Sequence, residues 1–175
     1  MAYRGTALVN APIIVTALMG AADFAWADGL RRAHFPPDRN VLPAHVTLFH
    51  HLPPSVLEEL AMRLKRLCAG PQPDARLVDV MSLGRGVAYR IDSPALMAMR
   101  DELADAFAGL LTPQDQARPR LHITVQNKVA PEEARALLAA LRKGFRPRPL
   151  TLAGLAAWHY RGGPWELAMK AMFRG

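Results

Sequence analysis

The amino-acid order predicts an α+β fold built from two similar halves, and three observations carry that prediction. Short runs in which apolar residues alternate with polar ones are interleaved with longer stretches of helical period. Each half runs strand, helix, strand, helix, strand, the pattern of an internal repeat. The second strand of each half also carries the same kind of short polar motif.

Taken in order, Ile13-Ile14-Val15-Thr16-Ala17-Leu18-Met19 reads as a buried strand over 12–19. With Arg4, the apolar stretch from Ala7 and the Ala25-Trp26-Ala27 triplet, this region imitates a secretory leader. Asn10 and Pro12 interrupt the run and a single basic residue precedes it, so the strand is the expected outcome. A helix follows over 21–33, a strand over 45–50 and a second helix over 55–69, where Ser55 and Glu58 form a capping-box pattern. Strands are expected over 76–82 and 86–92. Helices over 94–110 and 131–143 begin on Pro94 and Pro131, residues suited to a first turn. Between those helices lies a strand over 121–127, and strands over 149–159 and 165–173 close the chain. A length of 175 residues supports one core, so we expect a single domain of two pseudo-repeats, about 1–83 and 84–175.

Half of the residues are apolar (51%) and 21% are charged, which excludes a disordered chain, and no apolar run reaches membrane-spanning length. The formal charge of +7, with arginine far outnumbering lysine, suits a phosphate-bearing partner that a guanidinium can grip. A single cysteine, Cys68, excludes a disulfide framework and a multi-cysteine metal site. It is expected in the core, and the chain in a reducing, cytoplasmic setting.

The repeated motifs are His45-Val46-Thr47-Leu48 and His122-Ile123-Thr124-Val125, each at the start of a strand, the first followed by Pro53-Pro54 and a helix and the second by Pro131 and a helix. Alternation along a strand puts His45 and Thr47 on one face and Val46 and Leu48 on the other, and the second motif divides in the same way. If the halves pack about a pseudo-twofold axis, two imidazoles and two hydroxyls face one ligand across a cleft. Imidazole titrates near roughly 6.5, so one ring can accept a proton while the other donates one. That pairing suits hydrolysis of a cyclic phosphate without a metal, with Thr47 and Thr124 bonding the phosphoryl oxygens. Which histidine is acid and which is base cannot be read from the residues.

The two motifs resemble the double signature of the 2H phosphoesterase superfamily, which includes bacterial 2′-5′ RNA ligases and RNA 2′,3′-cyclic phosphodiesterases. The resemblance spans essentially the whole chain. It implies two pseudo-symmetric lobes of antiparallel sheet flanked by helices around a central cleft. It further implies His45 and His122 as catalytic acid and base, Thr47 and Thr124 as phosphate ligands, no cofactor, and RNA ends or nucleotides with a 2′,3′-cyclic phosphate as partners. A monomer is expected, with no membrane partner. A small cyclic nucleotide derivative and a non-catalytic module that binds RNA ends or nucleotides are the alternatives.

Other residues carry weaker signals. Arg118 and Arg120 precede the second motif, and Arg31, Arg32 and Arg39 precede the first, so cations are expected around the cleft mouth. Arg161 could reach a phosphate and Tyr160 could stack on a base near an expected hairpin turn. His50 and His51 have no counterpart in the second half and read as surface or supporting residues, and His34 and His159 as incidental. No His-Glu-x-x-His or close His-x-His spacing points to a metal.

Overall fold

The apolar run after Pro12 forms β1 (Ile13–Met19), whose Ile13 and Val15 are fully buried. The chain is seen in a computed structural model that describes residues 10–175, so Arg4 and Ala7 of the leader-like segment lie outside the described residues. The helix α1 (Ala21–His34) leads to β2 (Val46–Leu52), and α2 (Leu57–Leu67) leads to β3 (Arg76–Ser82). The second half follows with β4 (Val87–Asp92), α3 (Pro94–Ala106), a short α4 (Pro113–Gln116), β5 (His122–Gln126) and α5 (Pro131–Gly144). It ends with β6 (Arg148–Pro149), β7 (Leu152–His159) and β8 (Glu166–Met172).

These strands make two antiparallel four-stranded sheets, ordered β2-β1-β7-β8 and β5-β4-β3-β6, with helices packed against them. The α+β class and the flanked antiparallel sheets agree with expectation. The repeat has a twist that the pattern did not reveal: the third strand of each half joins the other sheet. β3 pairs with β4 through Leu77↔Ile91 and Val80↔Tyr89, whereas β7 returns to β1 through Ile13↔His159 and Ala17↔Leu155. The cause is local. The β3–β4 connection closes on a Leu83 N–H to Gly86 carbonyl bond, with Gly84 at φ 81°, and so short a turn obliges consecutive strands to pair. Gly86 is also required for proximity, because a Cβ there would collide with the Gln126 carbonyl of β5.

Several boundaries differ from the sequence pattern for physical reasons. The expected strand over 149–159 is divided, since Arg148–Pro149 belongs to one sheet and Leu152–His159 to the other, with Leu150 and Thr151 crossing between them. The Asp23 carboxylate fastens that crossing by accepting from the Thr151 N–H at 2.7 Å and from Arg148 at 2.8 Å. The capping box at Ser55 does not form. Pro53-Pro54 enter a 3-10 turn over Pro54–Val56, so Ser55 sits inside a turn and α2 begins later with no side-chain cap. A working cap appears at Ser93 instead, whose hydroxyl accepts from the Leu96 N–H ahead of Pro94. The helix expected over 94–110 stops at Ala106, three residues before the left-handed Gly109 at φ 86°.

A continuous apolar core runs through both sheets and includes Leu60 and Leu64 of α2, Leu96 and Leu103 of α3, and Ile123 and Val125 of β5. Cys68 is buried there as expected, and burial pushes its thiol up from the usual value. Among the described residues, no helix is long and apolar enough to cross a membrane.

Candidate active site

Alternation along β2 and β5 does what the residue types require. Val46, Leu48, Ile123 and Val125 are fully buried, which turns Thr47 and Thr124 to the opposite faces. His45 immediately precedes β2 and His122 opens β5. Both histidines and both threonines line one cleft of about 580 Å³, together with His50, Gln114, Arg118, Arg120 and Trp165. The two halves thus bring their motifs to a single place, as the repeat predicted. No carboxylate is among the described residues lining it, so these walls are neutral or cationic.

The two imidazoles are held by the same device. Nδ1 of His45 lies 2.9 Å from the Pro43 carbonyl, and Nδ1 of His122 lies 2.6 Å from the Arg120 carbonyl, in each case two residues upstream. A carbonyl can only accept, so Nδ1 carries the hydrogen in both rings. Each Nε2 is left without a protein partner among the described residues, as a lone pair in the neutral ring or an N–H in the charged one. This arrangement suits proton transfer to or from a ligand in the cleft.

Their surroundings differ. The His45 ring packs edge-on against Trp165 with centroids 4.7 Å apart, and Trp165 in turn lies 6.3 Å from Trp158. Burial, with further disfavour from the charges of Arg31, His122 and His50, lowers the His45 pKa to about 4, although its bond to the Pro43 carbonyl opposes the shift. His45 is therefore neutral at physiological pH. His122 stands on the wall that carries Arg118 and Arg120.

Behind the cleft, two buried arginines tie each motif strand to a helix of the other half. Arg31 of α1 donates to the Thr124 carbonyl at 3.1 Å and to Asn40 at 2.8 Å. Arg100 of α3 donates to the Leu48 carbonyl at 3.3 Å and to the Asp115 carbonyl. Each guanidinium also lies over an aromatic ring, Phe35 for Arg31 and Phe49 for Arg100. Burial lowers the pKa of both from its ordinary value, but the bonds to carbonyls keep them satisfied. Arg31, grouped by sequence with cations at the cleft mouth, is thus a buried brace, and its partner Arg100 gave no signal beyond a helical position.

Arg118 and Arg120 line the cleft, Arg118 also pairing with Asp101 at 3.1 Å. Tyr160 and Arg161 are not among the residues lining it. Arg161 instead pairs with Glu166 at 3.3 Å, and Tyr160 is exposed in the turn before Gly162. His50 is more involved than its unrepeated position implied: it lines the cleft, and its Nδ1 lies 3.1 Å from the Asp115 carboxylate. Trp165 and Asp115 were missed. A tryptophan after a proline and an aspartate in a four-residue helix carry no periodic signature. Among the described residues, no group of three or more His, Cys, Asp or Glu side chains could hold a metal ion.

Comparison with known proteins agrees with this architecture. The family model of the 2′-5′ RNA ligase superfamily matches residues 20–164, which include both motifs. No curated protein matches the chain by sequence. TT0787 of Thermus thermophilus has a similar fold, with a TM-score of 0.60 at 16% identity over 94% of this chain and 98% of that one. LigT of E. coli complexed with 3′-AMP gives 0.60 at 15% identity, covering 95% and 99%. The same protein complexed with NADP+ gives 0.62 at 16% identity, covering 94% and 98%.

Proposed function

Because the chain belongs to the 2′-5′ RNA ligase superfamily, we propose that it is a metal-independent phosphoesterase that opens 2′,3′-cyclic phosphates of RNA or nucleotides by two-histidine acid–base catalysis. One observation carries this reading: both His-x-Thr strands deliver their side chains to a single cleft, with each Nδ1 pinned to a carbonyl. Each Nε2 is thereby reserved for the substrate.

The unequal surroundings favour one assignment of roles. His45, neutral down to about pH 4, takes a proton on Nε2 from water as the water oxygen bonds to phosphorus. His122 serves as the acid, giving an Nε2 proton to the ribose oxygen as the phosphorus–oxygen bond breaks. Proton exchange with solvent restores both rings. Thr47 and Thr124 donate hydroxyl hydrogens to the non-bridging oxygens, where charge gathers in the transition state. Arg118 and Arg120 attract the anion to the cleft.

The test is hydrolysis of uridine 2′,3′-cyclic phosphate in the presence of chelator by the wild-type protein and by His45→Ala and His122→Ala. Chelator-resistant turnover that collapses in both variants is the expected outcome. A folded wild-type protein that opens no cyclic phosphate, on a nucleoside or on an oligonucleotide end, would overturn the proposal.

A further inference from the structure

The cleft holds a third histidine whose support is more elaborate than a surface residue needs. Asp115, 1% exposed, is carried by the four-residue α4. Its carboxylate accepts from the backbone N–H of His50 at 2.9 and 3.0 Å, from that of His51 at 2.8 Å, and from the His50 ring at 3.1 Å. Burial alone would push this carboxyl up, yet the bonds from His50 and His51 outweigh it and hold the pKa below its usual value. Asp115 therefore stays ionised behind the ring. With Nδ1 turned back to it, the Nε2 edge of His50 is the one left to the cleft, and the side chain is 43% exposed there.

The same wall is cationic. Residues 114–120 run from α4 to the start of β5, and Gln114, Arg118 and Arg120 line the cleft beside His50. Arg120 has no ion-pair partner among the described residues, and Arg118 has only an exposed one in Asp101. None of these groups belongs to the repeated motifs. The reacting phosphate engages two imidazoles and two hydroxyls on β2 and β5, so His50 and the arginines constitute donors beyond those the reaction uses.

We propose that His50, positioned by Asp115, forms with Arg120 and Arg118 a subsite for a second phosphate of the substrate, so that the protein takes the end of an RNA chain in preference to an isolated nucleoside cyclic phosphate. The inference rests on the function proposed above and narrows its substrate class. The second phosphate corresponds to the internucleotide phosphate on the 5′ side of the reacting nucleotide. With it in place, the His50 ring lies between two anions and donates from Nδ1 to the carboxylate and from Nε2 to the phosphate, a charge-assisted bridge. Arg120 adds a guanidinium to the same anion.

The test compares uridine 2′,3′-cyclic phosphate with its 5′-phosphorylated form, which adds that phosphate and nothing else. The ratio of their kcat/KM values in the wild type is expected to favour the 5′-phosphorylated substrate about 10-fold, the usual worth of one or two charge-assisted bonds. The ratio should fall towards unity in His50→Ala, Arg120→Ala and Asp115→Asn, and in the wild type as salt is raised. Each ratio is taken within one protein, so partial loss of folded material cancels. Calorimetric binding of uridine 2′-phosphate against uridine 2′,5′-bisphosphate gives the same comparison without turnover. A wild-type ratio near unity, or one that survives in His50→Ala and Arg120→Ala, overturns the subsite. Absent turnover with a bisphosphate preference intact overturns the catalytic reading and supports the subsite.

Discussion

The two motif strands are built alike and set in different surroundings. Each histidine gives its Nδ1 hydrogen to a carbonyl two residues back, and each strand is braced from behind by a buried arginine from the other half, Arg31 to Thr124 and Arg100 to Leu48. Yet His45 is packed on Trp165 and driven to a pKa of about 4, whereas His122 sits on the arginine-bearing wall. An internal repeat thus supplies two equivalent frames, and the residues packed around the two rings differ. Trp165 comes from the β7–β8 turn and Asp115 from α4.

The comparison can be broken most severely at the imidazoles. His45→Ala and His122→Ala should each reduce turnover of a 2′,3′-cyclic phosphate by roughly 10²–10⁴, and the double variant should be little worse than either single one, since the two act as a unit. Thr47→Val and Thr124→Val, which remove a donor without changing shape, should each cost on the order of 10² in kcat with little change in KM. A large KM effect would instead place the hydroxyls in ground-state binding.

Asymmetry behind the cleft gives the next effect. Asp115→Ala leaves two part-buried N–H groups, those of His50 and His51, without their acceptor and should lower unfolding free energy by roughly 1–3 kcal/mol in urea titrations. Arg118→Ala removes only an exposed ion pair and should change stability by less than about 0.5 kcal/mol. Equal losses for the two would mean that Asp115 does not anchor the end of β2.

Stability should also depend on pH in a way that marks His45. Between about 6.5 and 4, the unfolded chain binds a proton at this histidine that the folded chain refuses, so stability falls as pH drops through that window and is level above it. Asp115, with its carboxyl held low, adds a further loss only below about 3.8. His45→Gln should flatten the upper window and leave the lower one.

What could be read from the sequence followed from local rules. Strand alternation located Val46, Leu48, Ile123 and Val125 in the core, and the duplicated His-x-Thr pattern identified the four side chains that meet in the cleft. What could not be read depended on partners distant in the chain. The exchange of β3 and β7 between sheets was decided by a tight turn that competes with the repeat. Arg31 and Arg100 look like exposed helix cations until the strands they brace are in place. Likewise, His50 gave little signal because its partner Asp115 comes from a segment too short to show a period.

The pH dependence of kcat/KM for a nucleoside 2′,3′-cyclic phosphate, in chelator and from pH 3.5 to 9, tests most directly whether the paired histidines divide the work as base and acid. An acid limb near pH 4, set by His45, is expected, and it should move towards roughly 6.5 in Trp165→Ala as water reaches the ring. A wild-type acid limb already near 6.5, or one that Trp165→Ala does not move, would contradict the assignment of His45 as the buried, neutral base.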